Sequence, residues 1–177
     1  MTPPCFLPAV NAIEKALRET EGPVIVTIDG RCASGKTTLA ALCAKHFDCN
    51  VFHMDDFFLP YEMRTRSRLA TPGGNVDHER AKAQIFEPLS RGEPVTFSRF
   101  NCSTGTLEPP TTVPAARLAI VEGSYSHHPQ LAGYSNLKFF LTCDSGEQLR
   151  RLALRCPEKV EDFKTRWIPM EEAYFKG

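Results

Sequence analysis

The sequence has no surplus of either charge. Its 21 Lys and Arg residues stand against 21 Asp and Glu, a formal net charge of zero. A protein that holds nucleic acid or an anionic membrane by its overall field carries a basic surplus. Neutrality therefore excludes both as general partners and leaves only local basic clusters to consider. No apolar run approaches the roughly 18–20 residues that span a bilayer. Met1 to Val10 lacks the basic segment and apolar core of a secretory signal. The seven cysteines, Cys5, Cys32, Cys43, Cys49, Cys102, Cys143 and Cys156, are odd in number and contain no C-x-x-C. Neither a disulfide framework nor a zinc site is expected, and reduced thiols in a cytoplasmic protein are. The five histidines show no ligand spacing and read as structural. Repeats, low-complexity segments and linkers are absent too. The 177 residues read as a single domain, 1–177, long enough to bury a core.

What the chain does have is alternation. Val24–Ile28, Val51–Met54, Arg117–Val121 and Leu137–Thr142 are short apolar runs, the pattern of buried strands. Between and around them lie helical spacings. Pro8–Thr20, Lys36–Phe47, and Asp77–Ser90 with Asp77 as N-cap and Gly92 as stop belong here. So do a helix from Asp144 or Ser145 to Arg155 and a last one over Lys159–Phe175, kinked near Pro169. Asp55 to Asn75 reads as an irregular surface segment. Residues 94–113 read as a small hairpin, and 145–166 as a lid. Strands alternating with helices predict a three-layer α/β/α fold on a parallel sheet. Ligands in such sheets sit at the carboxyl ends of the strands.

The sharpest motif lies at such an end. Gly30-Arg31-Cys32-Ala33-Ser34-Gly35-Lys36-Thr37 fits G-x-x-x-x-G-K-S/T, after a strand and opening a helix. Glycines let the backbone wrap phosphates so that its N–H groups point at them. The helix N-terminus adds positive potential. Gly30, Ala33, Ser34, Gly35, Lys36, Thr37 and Thr38 are accordingly the candidate nucleotide-binding residues. Lys36 is expected on the β- and γ-phosphates and the Thr37 hydroxyl on Mg²⁺.

Two further strand ends carry carboxylates. His53-Met54-Asp55-Asp56-Phe57-Phe58 places two acids side by side, costly unless they have work or solvent. One of them, facing the γ-phosphate, could accept a proton from an attacking hydroxyl, while the other points to the opposite side. Phe57 and Phe58 suit either the core or stacking on a substrate. Glu122, before Gly123, could hold Mg²⁺ directly or through water. A guanine-reading N-K-x-D is missing, which excludes a signalling GTPase.

Taken together, Ile28–Ala40, His53–Phe58, Asn75-Val76-Asp77-His78 and Ile120–Tyr125 resemble the uridine kinase family. That family is related to nicotinamide riboside kinase, pantothenate kinase and phosphoribulokinase, and the resemblance implies the phosphate-loop nucleoside triphosphate hydrolase fold of the kinase type. The resemblance implies that Asp55 is the base for a ribose 5′-hydroxyl, that Asp77 binds ribose hydroxyls and that Glu122 lies at the metal. It places Phe58 and Arg150 among substrate contacts and lets Arg151 and Arg155 close on the phosphates. Arg150, Arg151 and Arg155 read equally as a solvated basic face, since Arg151 and Arg155 are four apart on a helix. Where family members carry Tyr-Asp, this chain has Phe100-Asn101. Related chains also continue past the equivalent of Trp167–Met170 into another strand and helix. The resemblance thus implies either a shortened chain or a sparse adenine pocket.

The expected activity is an ATP- and Mg²⁺-dependent transfer of the γ-phosphate to a primary hydroxyl of a nucleoside such as uridine. The expected partner is a small nucleoside-like substrate. The alternatives are another hydroxylated acceptor, such as nicotinamide riboside or pantothenate, or a nucleotide-binding module without transfer.

Overall fold

The computed structural model describes residues 3–176. Four parallel strands form its central sheet: β1 (Val24–Gly30), β2 (Cys49–His53), β7 (Leu118–Glu122) and β8 (Leu137–Leu141), in the order β2-β7-β1-β8. Every residue of β1 and β7 is buried, as a central strand covered on both faces requires. At the edge, β8 alternates between half-buried and exposed residues.

Side chains alternate across a strand, so each central strand feeds two cores. Val24, Val26 and Ile28 of β1 and Leu118 and Ile120 of β7 face one side. There they pack on Ile13 of α1 (Leu7–Glu19) and on Leu39, Ala40 and Cys43 of α2 (Lys36–His46). Ile25, Ala119 and Val121 face the other side, with Phe52, Ile85, Phe86 and Leu89. Each such fully buried Val, Leu, Ile or Phe contributes roughly 1.5–3 kcal/mol. The result is the three-layer α/β/α fold that the strand and helix spacings predict.

Several boundaries differ from the sequence reading. Strand β2 starts two residues early, where Asn50 Nδ2 donates to Pro114 O at 2.7 Å. It ends at His53 because Met54–Phe57 turns as a 3-10 helix. The segment after it holds a second 3-10 turn, Tyr61–Met63, and the short α3 (Arg66–Ala70). The helix capped by Asp77 comprises α4 (His78–Ala81), a π-type turn over Lys82–Phe86, and α5 (Glu87–Arg91), which ends at Gly92. Pro88 lacks the N–H that a regular helix needs there, so the wider turn precedes it.

The hairpin is two nested antiparallel ladders. β3 (Val95–Phe97) pairs with β6 (Thr111–Val113), and β4 (Phe100–Asn101) with β5 (Thr106–Leu107). In the region read as a lid, α6 (Ser145–Arg155) starts from Asp144, whose Oδ1 accepts from Gly146 N at 2.8 Å. The last predicted helix divides into a 3-10 turn (Pro157–Lys159), α7 (Val160–Asp162), a π-type turn (Phe163–Trp167) and α8 (Ile168–Phe175). Here too the wide turn lies just before a proline, Pro169. None of the seven cysteines is in a disulfide. Among the described residues, no helix is long and apolar enough to cross a membrane.

One buried carboxylate joins the ends of these elements. Asp29, wholly buried in β1, accepts from Gly30 N at 2.6 Å, Tyr125 N at 3.2 Å, His127 N at 2.9 Å and the Tyr174 hydroxyl at 2.8 Å. Removing it strands four donors in the interior. Asp29→Ala is expected to lose about 3 kcal/mol of stability and to lower the melting temperature by roughly 6–12 °C. Leu154→Ala, on an exposed side chain, should stay within about 0.5 kcal/mol. Thermal and denaturant unfolding of both variants checks this.

Candidate active site

The strand ends open into one cleft of about 1270 Å³. The phosphate loop runs along it between β1 and α2. Gly30 has φ 134°, and a Cβ there would lie 1.9 Å from Leu141 O on the neighbouring strand, so only glycine fits. Ala33 and Gly35 take left-handed φ values of 59° and 104°. Turns of this kind aim successive N–H groups into a concavity that suits an anion. The buried Ser34 hydroxyl has no hydrogen-bond partner among the described residues, a further donor left over in the same loop. Lys36 is nearly buried, and its Nζ donates to Gly30 O at 2.7 Å and Arg31 O at 2.8 Å. A phosphate would compete with these carbonyls for the ammonium group.

Opposite the loop, β7 delivers Glu122, which is 5% exposed. Its Oε1 accepts from the Thr37 hydroxyl at 3.1 Å and lies 2.6 Å from His53 Nδ1. The Glu122 hydrogen bond is the main reason His53 is raised above the usual histidine range; burial opposes it. Thr37 and Glu122 therefore present two hard oxygen donors side by side. Mg²⁺ is held in such sites by one or two protein oxygens plus phosphates and water. Among the described residues there is no cluster of three or more His, Cys, Asp or Glu that could hold a metal unaided. This donor set fits a cation that arrives with its triphosphate.

The twin acids after β2 separate as the sequence requires. Asp55 is open to the cleft and lines it with Lys36, Thr37 and Glu122. Asp56 turns away to Arg99, 3.4 Å distant. Desolvation raises the Asp55 carboxyl above the ordinary carboxylate range. Glu122 adds to the rise, while Lys36 and His53 oppose it. Phe57 is core, with the Arg80 guanidinium 4.5 Å above its ring, whereas Phe58 lines the cleft with its ring 6.3 Å from Trp167.

Not every sequence candidate reaches this cleft. Asp77 is buried beside it but does not line it. Its carboxylate caps α4 through Arg80 N and pairs with Arg80 Nε, both at 3.0 Å. That leaves it occupied by its own helix. Arg150 also lies outside, bonded at 2.7 and 2.8 Å to Glu147 on the exposed face of α6. Arg151 and Arg155, one turn apart, line the cleft, and Arg151 donates to Ala33 O of the phosphate loop at 3.0 Å. The four-residue spacing puts two of the three arginines on the useful face.

Other residues enter that sequence reasoning missed. Glu171 of α8 is buried and accepts from Cys32 N at 3.0 Å and the Ser124 hydroxyl at 2.6 Å, bracing the loop. Arg31 and Glu172 are paired through contacts of 2.5 and 3.0 Å. Burial, reinforced by Glu171, pushes the Cys32 thiol up to about 12, so it is no nucleophile. Asn75 lines the cleft, and among the described residues both its amide atoms lack a hydrogen-bond partner. Its place in the N-V-D-H run was visible in the sequence, but its neighbour Asp77 drew the assignment.

No protein-family model matches the chain. It is similar to a solved structure of a possible uridine kinase from Bacillus stearothermophilus, at 22% identity and TM-score 0.63 over 89% of this chain and 91% of that one. It is also similar to a candidate fructose transport system kinase from Silicibacter sp. TM1040, at 24% identity and TM-score 0.67 over 100% and 89%. These likenesses establish a P-loop kinase-like fold. A tRNA dimethylallyltransferase from Synechococcus sp. (strain WH7803) is 27% identical over 94 residues. The match takes in 53% of this chain and 29% of that protein's length.

The geometry separates the three arginines. Arg151→Gln and Arg155→Gln should each slow any phosphoryl transfer by about 100-fold or more, because both line the cleft. Arg150→Gln should change it less than about threefold, as an exposed pair contributes little. Steady-state ADP release from the three variants measures the difference.

Proposed function

We propose that the chain transfers the γ-phosphoryl group of ATP, as its Mg²⁺ complex, to a primary hydroxyl of a small acceptor. The observation that carries this reading is the convergence of four groups on one cleft. Lys36 and Thr37 come from the loop after β1, Asp55 from the end of β2 and Glu122 from the end of β7. A protein that only bound nucleotide would have no use for an open carboxylate at Asp55.

In the proposed reaction an Asp55 oxygen accepts the proton of the acceptor hydroxyl. The oxygen attacks the γ-phosphorus, the bond to the β–γ bridging oxygen breaks, and ADP leaves. Lys36, Arg151 and Arg155 offset charge on the transferring group. Bound Mg²⁺, held by Thr37 and Glu122, would supply further neutralisation of the phosphate oxygens. The helices from α6 to α8 wall the cleft and limit water, the competing acceptor.

A nucleoside such as uridine is the acceptor that the family resemblance implies. A second reading, transfer to another small hydroxylated metabolite such as pantothenate or nicotinamide riboside, is favoured by one observation. Asp77, the residue expected to hold ribose hydroxyls, is committed to Arg80. The cytoplasmic location read from the sequence belongs with this proposal.

Asp55→Asn should lower turnover by at least about 1000-fold while nucleotide binding, followed by calorimetry, stays within a few-fold. Near-normal turnover in that variant would remove Asp55 as the base. In the wild type, a protonated Asp55 cannot take the proton, so kcat/KM rises with pH through its pKa. Because burial raises that pKa, the acid limb should lie above the ordinary carboxylate value of 3.8, and a pH–rate profile locates it.

A further inference from the structure

The cleft is lined by six basic residues and only three carboxylates, although the whole chain is neutral. Lys36 and Arg151 touch the phosphate loop, and with Arg155 they are assigned to the nucleotide in the proposed reaction. Glu171, one of the three acids, is consumed by the Cys32 amide and the Ser124 hydroxyl. The divalent metal cancels part of the triphosphate's charge as well. Positive charge is thus left over for something else.

Two of the surplus cations are Arg64 and Lys159. Neither has a carboxylate within ion-pair distance among the described residues. Arg64 and Asp55 come from one stretch of chain, the segment after β2, and both line the cleft together with Lys159 and with Cys102 of the hairpin. Because Asp55 is the proposed base, Arg64 lies on the wall that the acceptor meets.

Arg64 is also built in place. Its Nε donates to Leu59 O at 2.7 Å, and its guanidinium lies 4.5 Å from the centre of the Tyr61 ring. Tyr61 is itself fixed, with its hydroxyl donating to Cys102 O at 2.6 Å and its ring edge-on to Phe100 at 5.7 Å. These contacts fix the plane of the guanidinium and occupy only its inner nitrogen. Among the described residues the two terminal nitrogens have no hydrogen-bond partner, and they form the fork that suits a carboxylate or phosphate.

Resting on the kinase reading, we propose that the acceptor carries an anionic group, recognised by Arg64 with help from Lys159, at the far end from the hydroxyl that Asp55 activates. A neutral nucleoside would leave the half-buried Arg64 guanidinium against an uncharged surface, which is unfavourable.

The test uses the full chain with MgATP and acceptor pairs differing only in charge. These are pantothenate against panthenol, nicotinic acid riboside against nicotinamide riboside, and glycerol phosphate against glycerol. ADP release gives kcat/KM, and calorimetry without nucleotide gives binding. The anionic member of at least one pair should be preferred about 10- to 100-fold in both measurements. Arg64→Gln should collapse that ratio toward one, and Arg64→Lys should restore part of it. ATP titration of each variant confirms that it is folded. A preference within the first two pairs identifies a carboxylate, and one within the third a phosphate monoester. Equal handling or absence of binding across every pair overturns the proposal. So does a loss in Arg64→Gln confined to KM for ATP. An Arg64-dependent binding preference with no transfer to any acceptor keeps the anion site and defeats the kinase reading. Rapid transfer to neutral members alone does the opposite.

Discussion

The cleft depends on a carboxylate that never reaches it. Asp29 is the last side chain of β1 before the phosphate loop, and it is wholly buried. It gathers the amide that begins the loop, two amides of the segment after β7 and the hydroxyl of Tyr174 on α8. A buried carboxylate is tolerated only when its oxygens are satisfied, so these four donors are drawn together. The same constraint holds Tyr125 at φ 76°, a conformation that a bulky residue adopts only when its surroundings impose it. Loop, β7 end and C-terminal helix are thereby placed relative to one another before any ligand enters. Glu171 and the Arg31–Glu172 pair add to the same bracing.

Features that depend on local spacing were legible in the sequence. The central strands are short apolar runs, and the phosphate loop announces itself through glycines whose backbone conformations no other residue takes easily. Asp55 and Glu122 were legible because a carboxylate at a strand's carboxyl end has few places to point. The three-layer architecture then followed from alternation alone. The wide turns before Pro88 and Pro169 were harder to see. A proline marks a disturbance, but how the helix absorbs it depends on its neighbours.

Two residues that do not line the cleft are held elsewhere by local structure. Asp77 was expected to face the acceptor, yet Arg80, three residues on, offers it both an amide and a guanidinium. Arg150 was grouped with Arg151 and Arg155, yet it lies on the exposed face of α6; Glu147 bonds Arg150 and Arg151 alike, so the helix face separates them. Chemistry-bearing residue types say what a side chain could do, and local hydrogen bonding decides whether it is free to do it. Glu171 shows the converse. Nothing near it in sequence signalled a role, because its partners, the Cys32 amide and the Ser124 hydroxyl, come from elements brought together only by folding.

Neutrality acquires a different meaning at this scale. A formal net charge of zero describes the whole chain, but charge is not evenly spread. Acids such as Glu147 and Glu79 are spent on arginines outside the cleft, at 2.7 Å with Arg150 and 2.6 Å with Arg68. The cleft is left with twice as many cations as carboxylates. Inside a cleft with reduced dielectric, that local excess acts at short range and is screened less than a surface charge. On the proposed reading, that excess would favour an anionic acceptor. In the proposed reaction the loop would take the triphosphate by its backbone, Asp55 the proton of the acceptor hydroxyl, and the remaining positive charge the acceptor's anionic group.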